Sequence, residues 1–200
     1  MANPTDRELV EKAKAERAKG GDAPAFGALV RRYQRRIFRL AFHIVRSGAE
    51  AEDVTQETFV RAYQAIDRFD GRSEPFTWLY RIAVNLSLNS IRARKATRDT
   101  TSADDPRVES LLLETRPSHG GDPANAAQQR QLALALCEGI DSLSETLRTT
   151  LLLVCIDGLG HADASKILGC PEGTVAWRVH EARKKLTEYL ASRGFGGDVS

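Results

Sequence analysis

The stretch SEPFTWLYRIAVNLSLNSIRARK, residues 73–95, predicts one long helix and decides the fold class. Ser73 suits a helix cap and Pro75 suits the first turn, because proline lacks an N–H that would otherwise need a partner there. Apolar and polar residues recur at spacings of three and four on opposite sides, with Leu79, Ile82, Ala83 and Leu86 on one and Arg81, Asn85, Asn89 and Arg92 on the other. The flanking segments repeat this spacing and none alternates over a strand's length, so the sequence predicts an all-α fold.

The chain divides into two helical domains on either side of a stretch without helical periodicity. Upstream, a first helix is predicted from Thr5, which with Glu8 has the spacing of a capping box, and others are predicted from Pro24 and over residues 50–66. Residues 96–125 are rich in Thr, Ser, Asp, Gly and Pro and are acidic overall. A structureless loop of about 30 residues is improbable inside one compact domain. We therefore expect small domains over residues 1–95 and 126–192, a flexible acidic linker over 96–125, and a disordered tail over 193–200.

The C-terminal domain ends in the pattern of a helix-turn-helix. A short helix over residues 161–168 is followed by a turn containing Gly169, and a longer helix from Pro171 shows a basic outward side. This order is typical of modules that place the second helix in the DNA major groove. A helical hairpin used for dimerisation remains the alternative.

Charged residues are grouped in blocks, which the net charge of +2 conceals. The second helix carries six arginines, whereas the third carries a polar face formed by Asp53, Gln56 and Glu57. These three residues lie within about one turn of each other and would repel phosphates, so they suit a protein partner better than DNA.

Aromatic residues are concentrated between residues 69 and 80, next to arginines. Phe69, Phe76, Trp78 and Tyr80 lie beside Arg72 and Arg81, and Asn85 follows on the helix. Aromatic rings stack on unpaired bases while arginines hold phosphates, so this combination indicates single-strand capture. The alternative is that the aromatics are core residues, which fits Trp78 best because it adjoins the apolar stripe.

Catalysis, metal binding and membrane insertion find no support in the sequence. The four histidines are scattered, and hydrolase, zincin and P-loop motifs do not occur, so we expect no active site, metal or cofactor. The cysteines Cys137, Cys155 and Cys170 lack a C-x-x-C spacing and are expected to be buried thiols. Without a signal-peptide core or an apolar run long enough to span a bilayer, the protein is expected in the cytoplasm.

Two long segments resemble the extracytoplasmic-function (ECF) branch of the bacterial sigma factors, in the sigma-70 family. The run AEDVTQETFVRAYQAIDRFDGRSEPFTWLYRIAVNLSLNSIRARK, residues 51–95, closely resembles sigma region 2, and residues 143–190, with CPEGTVAWRVHEARKKL, resemble region 4. The strings D-x-x-Q-E-T-F, FTWLYRIAVN and P-x-G-T-V-x-x-R-x-x-x-A-R carry the similarity. It implies a transcription initiation factor, without catalytic activity of its own, that gives RNA polymerase core its promoter specificity.

The resemblance also assigns roles to residues. It implies that Asp53, Gln56 and Glu57 dock on the beta-prime clamp helices of the polymerase core, and that the beta flap and promoter DNA are further partners. The residues expected at the minus-10 element are Phe69, Asp70, Gly71, Arg72, Ser73, Phe76, Trp78, Arg81, Asn85 and Arg92. Those expected at the minus-35 element are Thr174, Ala176, Trp177, Arg178, His180, Glu181, Arg183 and Lys184. An anti-sigma factor is a further expected partner.

The recognition helix departs from the family pattern at three positions. Family members usually carry Arg or Lys at Ala176, Ser at Trp177 and Arg at Glu181, so the minus-35 sequence is not predictable by analogy. Glu181 is suited to accept from a cytosine amino group, and Trp177 to pack on a sugar or a thymine methyl, unless either faces the protein. A conventional helix-turn-helix regulator with an N-terminal sensing or dimerisation domain is the alternative function.

Overall fold

The computed structural model describes residues 4–20, 22–97 and 123–195, and those residues form helices and turns without a strand. The all-α prediction is therefore confirmed. The N-terminal half contains α1 (Asp6–Ala18), α2 (Pro24–Val45), α3 (Gly48–Ala65), a 3-10 turn (Ile66–Arg68) and α4 (Pro75–Thr97). The C-terminal half contains α5 (Pro123–Ser142), α6 (Glu145–Leu151), a π-helical turn (Leu152–Ile156), α7 (His161–Leu168) and α8 (Glu172–Ser192).

Local capping sets several helix starts. The Glu8 N–H donates to the Thr5 hydroxyl and the Thr5 N–H donates to the Glu8 carboxylate, which confirms the capping box of α1. Ser47 caps α3, so this helix begins at Gly48, two residues before the expected start. Ser144 caps α6 in the same way, because its hydroxyl accepts from the Leu147 N–H.

The core of the N-terminal half is built around α2, which contacts α1, α3 and α4. The apolar side of α2, which includes Leu29, Ile37, Leu40 and Ile44 at helical spacing, is buried. Three of the four residues expected on the inner side of α3, namely Val54, Phe59 and Ala62, are buried in that helix, and Ile66 is buried in the turn that follows.

The C-terminal half has smaller clusters. One joins α5, α6 and α8 through Ile140, Leu147 and Leu186, and another joins α7 to α8. Gly139 permits the close approach of α5 to α8, because a Cβ there would lie 2.9 Å from a ring carbon of Tyr189. A larger residue at 139 would therefore displace the side chains of Tyr189 and Leu186.

The two halves contact each other, which the sequence did not predict. Leu152, Leu153, Leu159 and Ile167 belong to the same buried cluster as the core of α1–α4, and we call this arrangement the shared cluster. Ion pairs border it: Arg39–Asp157, Arg46–Asp141 and Arg92–Glu145. The two helical domains are thus present, and their apolar surfaces meet.

The expected linker and tail lie largely outside the described residues. Helix α4 extends to Thr97 and α5 begins at Pro123, so both helices reach into the range expected to be linker, and residues 98–122 are not described. The Phe195 N–H donates to the Leu190 carbonyl, so residues 193–195 close the end of α8 in a turn, while residues 196–200 are not described. Within the described ranges, every helix is too short or too polar to cross a bilayer.

Candidate nucleic-acid and protein interfaces

The loop over residues 69–74, which we call the capture loop, connects the 3-10 turn to α4. It begins with Phe69, which is only 7% exposed and packs its ring 5.0 Å from that of Trp78, with the ring planes tilted by 43°. Trp78 is itself half-buried and packed against the core, as the core interpretation expected. In this arrangement the Phe69 ring supports the loop from below, and its face is not offered to a base.

The middle of the capture loop is exposed and preorganised. The Arg72 N–H donates to a carboxylate oxygen of Asp70 at 3.0 Å, and the Arg72 side chain, 90% exposed, pairs with the same carboxylate. Gly71 between them has φ +71°, a conformation that residues with a Cβ rarely adopt. Asp70 and Arg72 are therefore held at the tip, accessible from solvent.

Helix α4 presents its predicted polar side to solvent. Arg81 and Asn85 are exposed, whereas Ser73 and Phe76 near its start are half-buried. Arg92, two turns beyond Asn85, is exposed but forms an ion pair with Glu145 of α6 at 3.2 Å. The structure thus brings the loop tip, Arg81 and Asn85 to an accessible surface, and engages Arg92 with the other half of the chain.

The polar face of α3 is a ridge between two grooves. Gln56 lines a groove shared with α2, next to Arg35 and Phe38. Asp53 and Glu57 line the opposite groove, which α3 shares with α4. Glu57 also accepts from the Arg61 Nε at 2.7 Å, one turn further along. The three predicted contact residues are therefore accessible, and they face slightly different directions.

Val60 is an apolar residue that the sequence analysis missed. It is exposed on α3 one turn beyond Gln56 and Glu57. An apolar side chain at the end of a polar ridge is suited to the drier centre of a protein interface. Its position in the sequence, outside the buried stripe of Val54, Phe59 and Ala62, could have indicated that Val60 is exposed.

The arginines of α2 find acidic partners outside their own helix. Arg32 pairs with Asp6 of α1, which also accepts from the Tyr33 hydroxyl, and Arg39 pairs with Asp157. Arg36 lies over the ring of Tyr80, 5.7 Å from its centroid. Much of this basic block is therefore used in intrachain contacts, while Arg31 and Arg35 near its N-terminal end are exposed.

The helix-turn-helix is formed as the spacing predicts. Gly169, at φ +64°, ends α7, and Ala164 packs against Val175 and Val179 of α8. The outer side of α8 carries Trp177, 60% exposed, together with the exposed residues Ala176, His180, Arg183 and Lys184. Thr174, Arg178 and Glu181 are half-buried at the margin of this side.

Two of these marginal residues have intrachain partners. Glu181 lies 3.5 Å from the Lys185 ammonium, so its charge is partly balanced within α8. Arg178 Nη1 lies 3.5 Å from the sulfur of Cys170. Among the sequence-predicted residues of α8, Trp177 is thus the large apolar side chain that is open to a groove.

The expectation that all three cysteines are buried is wrong for Cys155. Cys137 is buried and Cys170 is half-buried, but Cys155 is exposed, with its sulfur 3.4 Å from Arg183 Nη2. Cys155 belongs to the π-helical turn, whose wider winding places it outside the apolar side formed by Leu152 and Leu153. A sequence pattern based on 3.6 residues per turn does not predict that shift.

Comparisons with known proteins agree with this arrangement. Residues 29–97 match the family model described as sigma-70 region 2, and residues 133–186 match the one described as sigma-70, region 4. The chain is 35% identical over 179 residues to the ECF RNA polymerase sigma-E factors of Salmonella typhimurium (strain LT2) and Escherichia coli (strain K12), covering 90% of this chain and 93% of each relative. The sigma-E factor of Haemophilus influenzae is 35% identical over 181 residues, covering 90% of this chain and 94% of that protein.

Two solved structures share the fold. CnrH, determined in complex with the cytosolic domain of CnrY, is 26% identical with a TM-score of 0.64, and the match covers 94% of this chain and 97% of CnrH. The sigma factor RpoE of Bartonella quintana, determined with the anti-sigma factor NepR, is 24% identical with a TM-score of 0.59, covering 83% of this chain and 96% of RpoE.

These matches run in the same order as the two helical halves and do not favour a conventional regulator with an unrelated N-terminal domain. The C-terminal half supplies a DNA-binding helix-turn-helix within region 4. The chain belongs to the ECF sigma factors of the sigma-70 family, which direct transcription initiation.

Proposed function

We propose that this sigma factor binds the RNA polymerase core through the ridge on α3 and reads promoter DNA with two separate surfaces. Residues 1–95 would hold the core and the minus-10 element, and residues 126–192 would hold the minus-35 element. The observation that carries this proposal is the separation of charge: an acidic ridge lies on α3, while an arginine at the loop tip and the basic side of α8 are exposed elsewhere.

The ridge fits a protein partner. Asp53 and Gln56 are exposed, and the grooves on either side admit side chains from a second surface. Acidic groups attract a basic partner and repel the DNA backbone. The ridge therefore gives this domain a polymerase-binding surface that is distinct from its DNA-binding surface. By resemblance to the family, the partner is the pair of clamp helices in the beta-prime subunit, with the beta flap as a second contact for region 4.

The capture loop fits an unpaired strand. Arg72, Arg81 and Asn85 offer donors to phosphates and base edges, with Phe76 and Trp78 half-buried beside them. Flipping a base costs a few kcal/mol, and stacking returns about 1–3 kcal/mol per base, so a small number of contacts is enough to hold a melted minus-10 strand. Phe69 contributes by supporting Trp78.

Helix α8 fits the major groove. Arg183 and Lys184 are exposed and suited to phosphates, and Trp177 protrudes between them and the helix start. Arg183 and Lys184 would thus position α8 on the DNA backbone, and Trp177 would supply one apolar contact able to select a base.

The remaining expectations follow from the family. A sigma factor has no catalytic task of its own, because the polymerase carries the chemistry, and it works in the cytoplasm, where the polymerase is. An anti-sigma factor is a fitting partner, since the relative RpoE was determined with one.

A gel-shift experiment with and without polymerase core tests the proposal. Duplexes selected from a random pool by the reconstituted holoenzyme serve as the probe. We expect strong retardation with core and weak retardation by the chain alone. Tight binding by the chain alone, unchanged by core, would instead support a conventional regulator.

A further inference from the structure

Helix α1 contacts both ends of the capture loop, although it precedes residues 29–97, the part of the chain that matches sigma region 2. It presents three cations toward the loop, spaced along its length: Arg7, Lys14 and Arg17. Each binds a residue within or next to the loop, and none of the three was assigned a role by the sequence pattern.

Arg7 holds the end of the loop that leads into α4. Its Nη2 lies 2.7 Å from Glu74 Oε1, and its Nε donates to both carboxylate oxygens. The hydrogen bond from Arg7 lowers the pKa of the Glu74 carboxyl below its ordinary value, so this contact is intact at neutral pH. Both side chains are about half-exposed, which limits the strength of the pair.

Lys14 and Arg17 hold the other end. The Lys14 ammonium donates to the Phe69 carbonyl at 2.9 Å and lies 5.8 Å from the centroid of the Phe69 ring. Only 23% of the Lys14 side chain is exposed. Arg17 donates to the Tyr63 carbonyl, lies over the Tyr63 ring and pairs with Asp67 of the 3-10 turn.

The Lys14 contact fixes the peptide between Phe69 and Asp70. At this point the chain passes from a buried ring to the exposed loop tip with Asp70 and Arg72. A charged donor on a backbone carbonyl forms one of the stronger hydrogen bonds available to a loop. Without it, the tip would have to be ordered when the strand binds, and that ordering reduces affinity.

We propose that Lys14 is a positioning residue for minus-10 strand capture, with Arg7 and Arg17 securing the flanks of the loop. The proposal deepens the proposed function and rests on it. The ammonium acts through the Phe69 carbonyl, and it need not touch the DNA.

The test compares two substitutions on one helix in the full chain bound to polymerase core. Lys14→Met removes the ammonium and keeps an unbranched apolar stem, and Lys12→Met makes the same change at an exposed position of α1 close to Glu8. The probe is a labelled single strand selected from a random-sequence pool by the wild-type holoenzyme, and affinity is read by fluorescence anisotropy. We expect Lys14→Met to weaken strand binding about tenfold and Lys12→Met to leave it unchanged.

Two further measurements distinguish positioning from loss of fold. Lys14→Arg retains a cationic donor and should restore most of the strand affinity, while core affinity and binding of the minus-35 duplex should be equal in all variants. Equal strand affinity in Lys14→Met and wild type, or a parallel loss of core and duplex binding, would overturn the proposal. If the wild-type holoenzyme selects no single strand at all, the proposed function of the loop fails as well.

Discussion

Arg39 and Asp157 lie 118 positions apart in the sequence, and their side chains meet at 3.0 Å where the two halves of the chain touch. The Asp157 side chain is 2% exposed, so this carboxylate is removed from water in the packed arrangement. A charge in such a place needs its partner, since a buried carboxylate left without a compensating cation is destabilising. The ion pair therefore makes the contact between the halves depend on both residues.

Replacing Arg39 with Met should separate the halves. The substitution leaves Asp157 without the Arg39 guanidinium, and moving the C-terminal half away returns the carboxylate to water. We expect a larger radius of gyration by small-angle X-ray scattering and a lower melting temperature. The double variant Arg39→Met with Asp157→Leu should regain the compact form, because an apolar pair of similar size is tolerated in place of buried charges. An unchanged radius in the single variant would contradict this view of the contact.

The contact should also weaken at high pH through Tyr80. Burial first and the Asp157 carboxylate second raise the pKa of the Tyr80 phenol from 10.0 to about 12, against the opposite effect of Arg36 and Arg39. Because the folded pKa is the higher one, the contribution of Tyr80 to stability is complete below pH 10 and is lost as the pH rises toward 12. Tyr80→Phe should therefore stay compact to higher pH than wild type in scattering measured across this range. If wild type and Tyr80→Phe expand at the same alkaline pH, a group other than Tyr80 determines where the contact is lost.

The role of the ridge on α3 in core binding can be separated from the role of its internal ion pair, Glu57–Arg61. Glu57→Lys should abolish co-purification with polymerase core, since it reverses a charge at the proposed docking surface. The exchanged variant Glu57→Arg with Arg61→Glu retains a pair one turn apart and the same net charge, and it should also fail to bind. Circular dichroism should show unchanged helix content in both. Recovery of core binding by the exchanged variant would mean that Glu57 acts only by stabilising the helix.

Trp177→Ser should affect duplex binding and leave the fold intact. The side chain is 60% exposed, and surface substitutions of this kind change stability by about 0.5 kcal/mol or less. We expect the holoenzyme to lose about fivefold in affinity for its selected duplex, or ~1 kcal/mol, if an aromatic contact to DNA is lost. Glu188→Ser, at an exposed position on the C-terminal part of α8, is the control. Equal effects of the two substitutions in gel shifts would remove Trp177 from the interface.

The sequence predicts those features whose determining residues are close together in the chain. The capping box of Thr5 and Glu8, the start of α4 at Pro75 and the left-handed Gly169 each depend on residues within a few positions, and each is found as expected. The exposure of the ridge on α3 also follows from helical spacing.

Contacts between residues that are distant in the sequence do not follow from local spacing. The acidic partners of the arginines on the second helix, Asp6 and Asp157, belong to other elements, so helical spacing does not reveal them. Phe69 has the residue type of a base contact, and only its tertiary packing against Trp78 places it beneath the loop. Likewise, nothing in the spacing of Leu152 and Leu153 indicates which core they would join.

The shared cluster makes the C-terminal half an intramolecular ligand for the N-terminal half. Two surfaces held on one chain meet at a higher effective concentration than the same surfaces on separate molecules, so even a weak contact between them is populated. Any protein or promoter that requires the covered face binds only the open fraction, and its apparent affinity falls by that fraction. The strength of the contact through Leu152, Leu153, Leu159 and Ile167 thus sets a threshold that every partner of the covered face must exceed.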